Sequence, residues 1–199
     1  MRAQALRARP RRRGLPADTG ERSRSAIAAN VLDRQFKASA PNQKWVADFT
    51  YIWTAEGWLY VAAVIDLFSR RVVGWSMSAA MTAQLVADAL MMAIWRRGKP
   101  NALLHHSDQG SQYTSTTYLN CLNHALAELS MSGAGNCYDN AVVESFFSTL
   151  KTECVTWVFN TRAEARTTIF EYLEVWYNRQ RLHSTLGYRS PVDFENLTL

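Results

Sequence analysis

Three apolar runs, separated by short connections, restrict the fold of this 199-residue chain more than any other feature. Lys44 to Trp53 ("KWVADFTYIW") is aromatic and β-branched, Trp58 to Leu67 is nearly all apolar, and Arg71 to Ser78 alternates. Runs of this kind read as strands. The links at Glu56-Gly57 and Phe68-Ser69-Arg70 leave room only for hairpins, because a parallel crossover needs a dozen or more residues. An antiparallel three-stranded meander is therefore expected.

The pattern then changes period. Thr82 caps a helix running to about Arg97, with Leu85, Ala89 and Met92 on one face, and Gly98 and Pro100 stop it. Leu103 to His106 reads as a short buried strand, followed by the polar loop Ser107 to Gln112. A helix from Thr116 to Ala125, a strand around Ala127 to Met131, a Gly-rich loop and a helix containing Glu144 come next. Thr161 and Glu164 form a capping box that opens a long helix with Ile169, Leu173 and Trp176 at helical spacing. Three antiparallel strands followed by alternating helix and strand define an α/β class, a mixed sheet flanked by helices. No internal repeat is present. The organisation expected is a basic, disordered arm or linker over residues 1–40, a core over 41–158, and a C-terminal helix and tail over 159–199 packed on or extending it.

Bulk properties exclude several classes. At 48% hydrophobic residues the chain can bury a sizeable core. The apolar runs are too short to span a bilayer, and the Arg-rich N-terminus lacks the apolar stretch of a secretory signal. Cys121, Cys137 and Cys154 are odd in number and widely spaced, so a reducing cytoplasm fits better than a disulfide framework. Residues 1–24 carry eight arginines against Asp18 and Glu21, a balance of +6, whereas the remainder comes to −1. Such an arm suits a polyanion, most plausibly nucleic acid, or is the solvated remnant of a linker.

Three carboxylates stand where structure alone does not ask for them. Asp48 interrupts a run otherwise suited to a central strand, where aspartate is depleted and costly to bury, although an exposed sheet face would tolerate it. Asp108 ends "LLHHSD" at the carboxyl end of a strand, where α/β proteins place functional groups and where simple turn chemistry is the competing reading. Glu144 stands in the first turns of an apolar helix but outside a capping box, since the third helical position falls on Val142 or Val143. If the first strand is central and the 103–106 strand lies parallel beside it, Asp48 and Asp108 become neighbours and a packed helix can add Glu144. Three convergent carboxylates are hard oxygen ligands suited to Mg²⁺ or Mn²⁺, and with two ions they form the clamp for in-line displacement at phosphorus. Asp66 falls two or three residues from Asp48 along the hairpin, too far to share that clamp. Asp139 is expected as a helix cap, and Asp88 sits in mid-helix without a partner motif.

The words around these residues carry a resemblance. Thirty-five residues separate Asp108 from Glu144, the spacing of the D,D-35-E transposases and retroviral integrases. "WVADFTY", "YVAAVIDLFSRRVVGW", "HHSDQGSQY", "SMSGAGNCYDNAVVESFFSTLK" and "EYLEVWYNRQRLHSTLGYRSP" closely resemble OrfB-type transposases of bacterial insertion sequences from about residue 31 onward. The resemblance implies a ribonuclease H-like integrase core with a five-stranded sheet, and Asp48, Asp108 and Glu144 as catalytic metal ligands for two Mg²⁺ or Mn²⁺ ions. It implies strand cleavage and transfer on insertion-sequence ends and target DNA, by a homo-oligomer assembled on DNA in the bacterial cytoplasm. A hydrolytic ribonuclease H-like nuclease without joining activity, or a non-catalytic DNA-binding remnant, are the alternatives. Lys151, two turns beyond Glu144 on the same face, matches a family lysine that touches DNA ends. Gln112, Tyr113, Asn136, Asp139 and Asn140 match the family's loops, for DNA contact or for shaping those loops. Arg179, Arg181 and His183 match its C-terminal words, for phosphate contact or as a solvated helix end. Family members carry a helix-turn-helix segment before the core. Recognition of element ends is thus expected from a helix-turn-helix partner or a missing N-terminal domain.

Overall fold

β1 (Lys44–Thr54) is the middle strand of a five-stranded sheet of order β3-β2-β1-β4-β5, as a computed structural model of the chain shows. The structure describes residues 16–20, 23–133 and 137–197. β2 (Gly57–Asp66) and β3 (Val72–Ser78) complete the antiparallel meander. β4 (Leu104–Ser107) and β5 (Glu128–Met131) add in parallel on the other side of β1. The mixed sheet expected from the sequence is thus formed, with strand limits within about a residue of those read from the pattern.

Helices cover both faces. α1 (Ala83–Arg97) starts at Thr82, whose side chain accepts the N–H of Leu85, and packs on β2 and β3. α2 (Thr116–Ala125) is capped in the same way by Ser115, which accepts from Tyr118. These two helices bury Leu85, Leu90, Ala93 and Leu122 against Trp45, Ala47, Val64 and Val73. On the opposite face, α3 (Ala141–Glu153) and α4 (Arg162–Glu171) bury Val143, Phe147, Leu150 and Ile169 against Val46, Ile52, Val61 and Ile65. The alternation of β1 between the two cores follows from the two-residue period of a strand.

The Thr161 box is present: Glu164 N–H donates to Thr161 Oγ1 at 3.0 Å, while the Glu164 carboxylate accepts from Asn160 N–H at 2.8 Å. α4 continues without a break into a π-helical stretch, Tyr172–Tyr177. A short helix, α5 (Pro191–Asn196), closes the chain and has Pro191 at its first turn, where no donor is lost.

Two expectations need correction. The linker read over residues 1–40 is not wholly free, because Leu32 is 1% exposed within the α3-side core. Ser130 Oγ on β5 accepts the N–H groups of Val31 and Leu32, and Met131 N–H donates to Ala29. One buried leucine with three hydrogen bonds is enough to fix a short segment that has no periodicity of its own. Asp139 is not a helix cap. It is buried and accepts from Asn30 Nδ2, Arg34 Nε and Gly133 N–H, so it ties the same segment to the loop before α3. Residues 1–15, Glu21 and Arg22, which hold most of the arm's charge, and Asn136 in the Gly-rich loop lie outside the described residues.

Candidate active site

The parallel register of β1 and β4 brings the first two carboxylates together. Trp45 pairs with His105 and Val46 with His106, so Asp48 and Asp108 each stand two residues beyond the last pair, on strands about 5 Å apart. Asp48 shares the side of β1 that carries Val46 and Ile52, the side covered by α3. Val143 and Phe147 anchor α3 in that core and hold the exposed Glu144 between them at the strand ends.

Electrostatics report the convergence. The Asp48 carboxyl is pushed up to about 8, chiefly by burial and then by the charges of Asp108 and Glu144, with the Phe49 N–H and Lys151 working against the rise. Asp48 Oδ1 accepts the Phe49 N–H at 2.7 Å, and Asp108 Oδ1 accepts the Gly110 N–H at 2.8 Å. Gly110 lets the chain wrap Asp108, because a Cβ there would meet Asp108 Oδ1 at 3.0 Å and Gln112 Oε1 at 3.1 Å. Among the described residues no three His, Cys, Asp or Glu side chains close into a ready metal cage.

Asp66 pairs with Trp45, three residues from the partner position of Asp48, and is buried. It accepts from Asn42 N–H at 2.6 Å, Phe68 N–H at 2.8 Å and Trp45 Nε1 at 3.2 Å, which makes it the anchor of the β2–β3 turn.

The remaining residues singled out by sequence fall into different environments. Lys151 lies on the Glu144 face of α3, with its ammonium 5.2 Å from the Tyr51 ring centre. Burial lowers its pKa and Asp48 opposes that. Tyr113 is fully buried, edge-on to Tyr118 at 5.1 Å and 6.3 Å from Phe49, so its ring packs beneath the Asp108 loop. Its apolar ring fills the α2-side core, which the word "SQY" alone does not reveal. Gln112 is also buried, with Nε2 at 3.5 Å from Asp18. Asn140 is the residue before α3, buried and giving no cap bond. Arg179 is exposed, Arg181 grips Glu153 on α3 at 2.9 Å, and His183 is half-buried with Nε2 unpartnered among the described residues. Burial and the neighbouring Arg181 and Arg70 guanidinium groups push His183 down to about 4.

Sequence reasoning missed one contact at this site. Asp18 Oδ2 accepts Ser111 N–H at 3.0 Å and Asp18 Oδ1 accepts Ser111 Oγ at 2.6 Å, so a piece of the arm rests on the loop after Asp108. A Cβ on Gly20 would lie 2.2 Å from Ser111 Oγ, which makes the approach possible only for glycine. No local pattern announces a pairing across more than ninety residues.

Comparison with known proteins decides the family. Residues 38–137 match one integrase core domain family and residues 144–199 a second, also described as integrase core domain. The transposase InsF for insertion sequence IS3A of Escherichia coli (strain K12) is 50% identical over 200 aligned positions, covering all of this chain and 69% of that protein. The chain belongs to the insertion-sequence transposases. A second relative, the transposase for insertion sequence element IS904 of Lactococcus lactis subsp. lactis (strain IL1403), is 51% identical over 167 positions, 83% of this chain and 66% of that protein.

Solved structures agree on the fold of this transposase chain. The simian T-cell lymphotropic virus intasome in complex with PP2A regulatory subunit B56 gamma superposes with a TM-score of 0.66 at 16% identity, covering 91% of this chain and 60% of that one. The HTLV-2 integrase catalytic core domain in complex with magnesium (trimeric form) gives 0.57 at 18% identity, covering 79% of this chain and 99% of that one. The ribonuclease H-like core expected from the sequence is the fold found. Among the described residues no helix is long and apolar enough to cross a membrane.

Proposed function

We propose that this transposase domain cleaves DNA strands at insertion-sequence ends and joins them to target DNA, as a polynucleotidyl transferase with Asp48, Asp108 and Glu144 as catalytic metal ligands. The observation that carries the reading is the parallel register of β1 and β4, which sets Asp48 and Asp108 each two residues beyond the last pair; burial and the charges of Asp108 and Glu144 raise the Asp48 carboxyl to about 8. Such a group gains most from a nearby cation. The donor set fits Mg²⁺ or Mn²⁺: hard carboxylate oxygens, with no histidine or cysteine ligand called for. The solved magnesium complex of the HTLV-2 core, which shares the fold, supports the same ion. When bound, two divalent ions supply activation of the attacking oxygen and stabilisation of the leaving one.

The chain's own residues do the rest. Phe49 and Gly110 N–H groups fix the orientation of Asp48 and Asp108. α3 presents Glu144, and Lys151 on the same face meets a DNA phosphate near the reacting bond. Arg179, and Arg181 beside α3, extend the cationic surface, with His183 as a neutral donor next to them, and the arginines of the arm add affinity that does not read sequence. Gln112, Tyr113 and Asn140 act by shaping the loops that hold the acids. A homo-oligomer assembled on DNA in the bacterial cytoplasm, with end recognition from a helix-turn-helix unit, completes the reading.

The test is a strand-transfer assay with labelled oligonucleotides from the flanking element ends. Joined products in Mg²⁺ or Mn²⁺, and none in chelator, are expected. Ca²⁺ should permit binding but little chemistry, because its looser shell places the reacting oxygens poorly. Cleavage without joining would favour a hydrolytic nuclease, and full activity in chelator would overturn the assignment of the three acids.

A further inference from the structure

A cavity of about 470 Å³ opens beside the active site, between α3, the β2–β3 turn and residues 177–188. It begins at Ser145, the neighbour of Glu144, and takes residues from three parts of the chain that no local motif connects. Its volume falls in the range of small-molecule sites, roughly 300–1,000 Å³. Arg181 and His183, placed above on the DNA-facing surface, lie in its wall, while Arg70, Ser145 and Tyr188 have no role assigned above.

Three features of the wall point to one kind of guest. The first is unspent hydrogen-bonding capacity. Arg70 donates through Nη2 to Phe36 O at 3.1 Å, while its buried Nη1 has no acceptor among the described residues. His183 Nε2 is buried and unpartnered on the same lining. Buried polar groups are normally paired, so two orphans around one cavity mark a place where an acceptor belongs. With His183 held neutral by burial and by two guanidinium groups, an arriving anion would be welcomed by all three.

The second feature is aromatic. Tyr177 stands edge-on to Phe146 at 4.9 Å and to His183 at 5.0 Å, a rigid wall behind the polar groups. The third is Tyr188 at the rim. Its ring is 71% exposed and its backbone has φ 57°, a left-handed conformation that a tyrosine adopts only when the surroundings impose it. Gly187 N–H to Ser184 O, Tyr188 N–H to His183 O and the His183–Arg189 bridge impose it here. A loop is thus held in strain to display an aromatic ring over a cavity lined by cations and hydroxyls.

We propose that this cavity receives a single unpaired nucleotide of the DNA substrate, its base against the aromatic side chains and its phosphate at Arg70 and His183. The inference rests on the DNA reading above and adds to it that the substrate is bound with one nucleotide out of the stack. Taking a base out of a duplex costs unstacking, which is least where the base is already single-stranded. Aromatic platforms bind such bases with little sequence preference.

The experiment compares two 20-base-pair duplexes of one arbitrary sequence, blunt or with a three-nucleotide single-stranded extension carrying 2-aminopurine. Fluorescence anisotropy reads affinity and 2-aminopurine intensity reads stacking, with the full chain in Ca²⁺. The extended duplex should bind about ten-fold more tightly than the blunt one, with 2-aminopurine quenched, from stacking of one base. Tyr188→Gly relieves the backbone strain while removing the ring, and Ser145→Trp fills the cavity from α3. Each should abolish the advantage and the quenching and leave blunt-duplex affinity unchanged. Free deoxynucleoside monophosphate at millimolar concentration should compete away the advantage if the cavity accepts a nucleotide from any source. Failure to compete, with both variants still losing the advantage, restricts it to a nucleotide within a strand. Equal affinity for the two duplexes, or an advantage that survives both variants, overturns the proposal while leaving DNA binding intact. A chain that binds neither duplex refutes the DNA reading itself, and the proposal with it.

Discussion

The two faces of the sheet solve different problems. On the α1 side, contact is close and almost wholly apolar: Gly74 on β3 approaches α1 so tightly that a Cβ would sit 2.1 Å from Ala89 O and 2.7 Å from Ala93 N. Polar atoms inside this face are few: His105 Nε2 bonds the Tyr118 hydroxyl and Trp45 Nε1 donates to Asp66, while His105 Nδ1 and the Tyr113 hydroxyl are buried without a partner among the described residues. What sets the α3 side apart is charge: it carries Asp48, with its pKa far above the usual carboxylate range, and the Arg70 guanidinium, whose buried Nη1 has no acceptor among the described residues. A buried carboxyl and an unmatched guanidinium cost stability, so their place on the α3 side argues that this face is shaped for ligands. The apolar face supplies the cohesion that makes the arrangement tolerable.

The sharpest way to break the comparison is to neutralise the acids. Asp48→Asn, Asp108→Asn and Glu144→Gln should each lower strand transfer by on the order of 10³-fold or more, since ligands of a shared clamp act as a unit. None should cost stability, because no core side chain is removed. For Asp48→Asn stability should rise. An acid whose folded pKa lies above its unfolded value weakens the fold as pH climbs from the unfolded value near 4 to the folded value of about 8. The metal-free protein should therefore lose melting temperature across that window, and Asp48→Asn should flatten the loss. A destabilised Asp48→Asn with the slope intact would mean that Asp48 is not the group whose raised pKa sets the pH dependence.

How much of this was readable in advance follows from where each interaction is made. Strands, helices and caps are local, and the pairing of Asp48 with Ala63 could be counted out from the first hairpin, which also placed Asp66 out of range. Asp48 and Asp108 could be brought together because a central strand with a parallel neighbour leaves few arrangements. Asp139 and Leu32 were misplaced for one reason: their partners Arg34 and Ser130 are chosen by packing and not by periodicity. The cavity beside α3 was invisible to sequence because Arg70, Ser145 and His183 come from three separate segments.

The same comparison can be broken from the apolar side. Gly74→Ala places a methyl against backbone atoms of α1, which no rotamer change can relieve, so the helix must move as a body. A loss of about 3 kcal/mol or more is expected, at the upper end of overpacking costs. Chemical denaturation measures it. The folded fraction should retain strand-transfer activity, because α1 does not touch the acids. Loss of activity at unchanged stability would show that the two faces are coupled.

A smaller effect is expected where the C-terminus clasps the structure. Glu195 on α5 is buried and accepts from Ser69 Oγ at 2.9 Å, Arg71 Nη1 at 2.7 Å and Arg97 Nη2 at 2.5 Å. It thereby joins the start of β3 to the end of α1, across the edge where the two faces meet. Burial alone would raise its pKa, but the Arg97 and Arg71 guanidinium groups outweigh that and hold the carboxyl below its usual value of 4.5. For an acid shifted downward, the stabilisation is complete above the unfolded pKa and fades as pH falls from about 4.5 through the folded value. Glu195→Gln keeps the shape and one acceptor while removing the charge, leaving two arginines facing a neutral amide. The cost should be about 2 kcal/mol at pH 7, below the 3–5 kcal/mol of a fully buried pair because both arginines reach solvent. Melting curves of the two proteins from pH 7 to pH 3 provide the check. Their gap should stay constant down to about pH 5 and close on further acidification, as the wild-type carboxylate takes up its proton. A gap that persists at pH 3 would mean that Glu195 acts through packing. The clasp would then be steric, and the acid pair would contribute nothing to holding the two faces together.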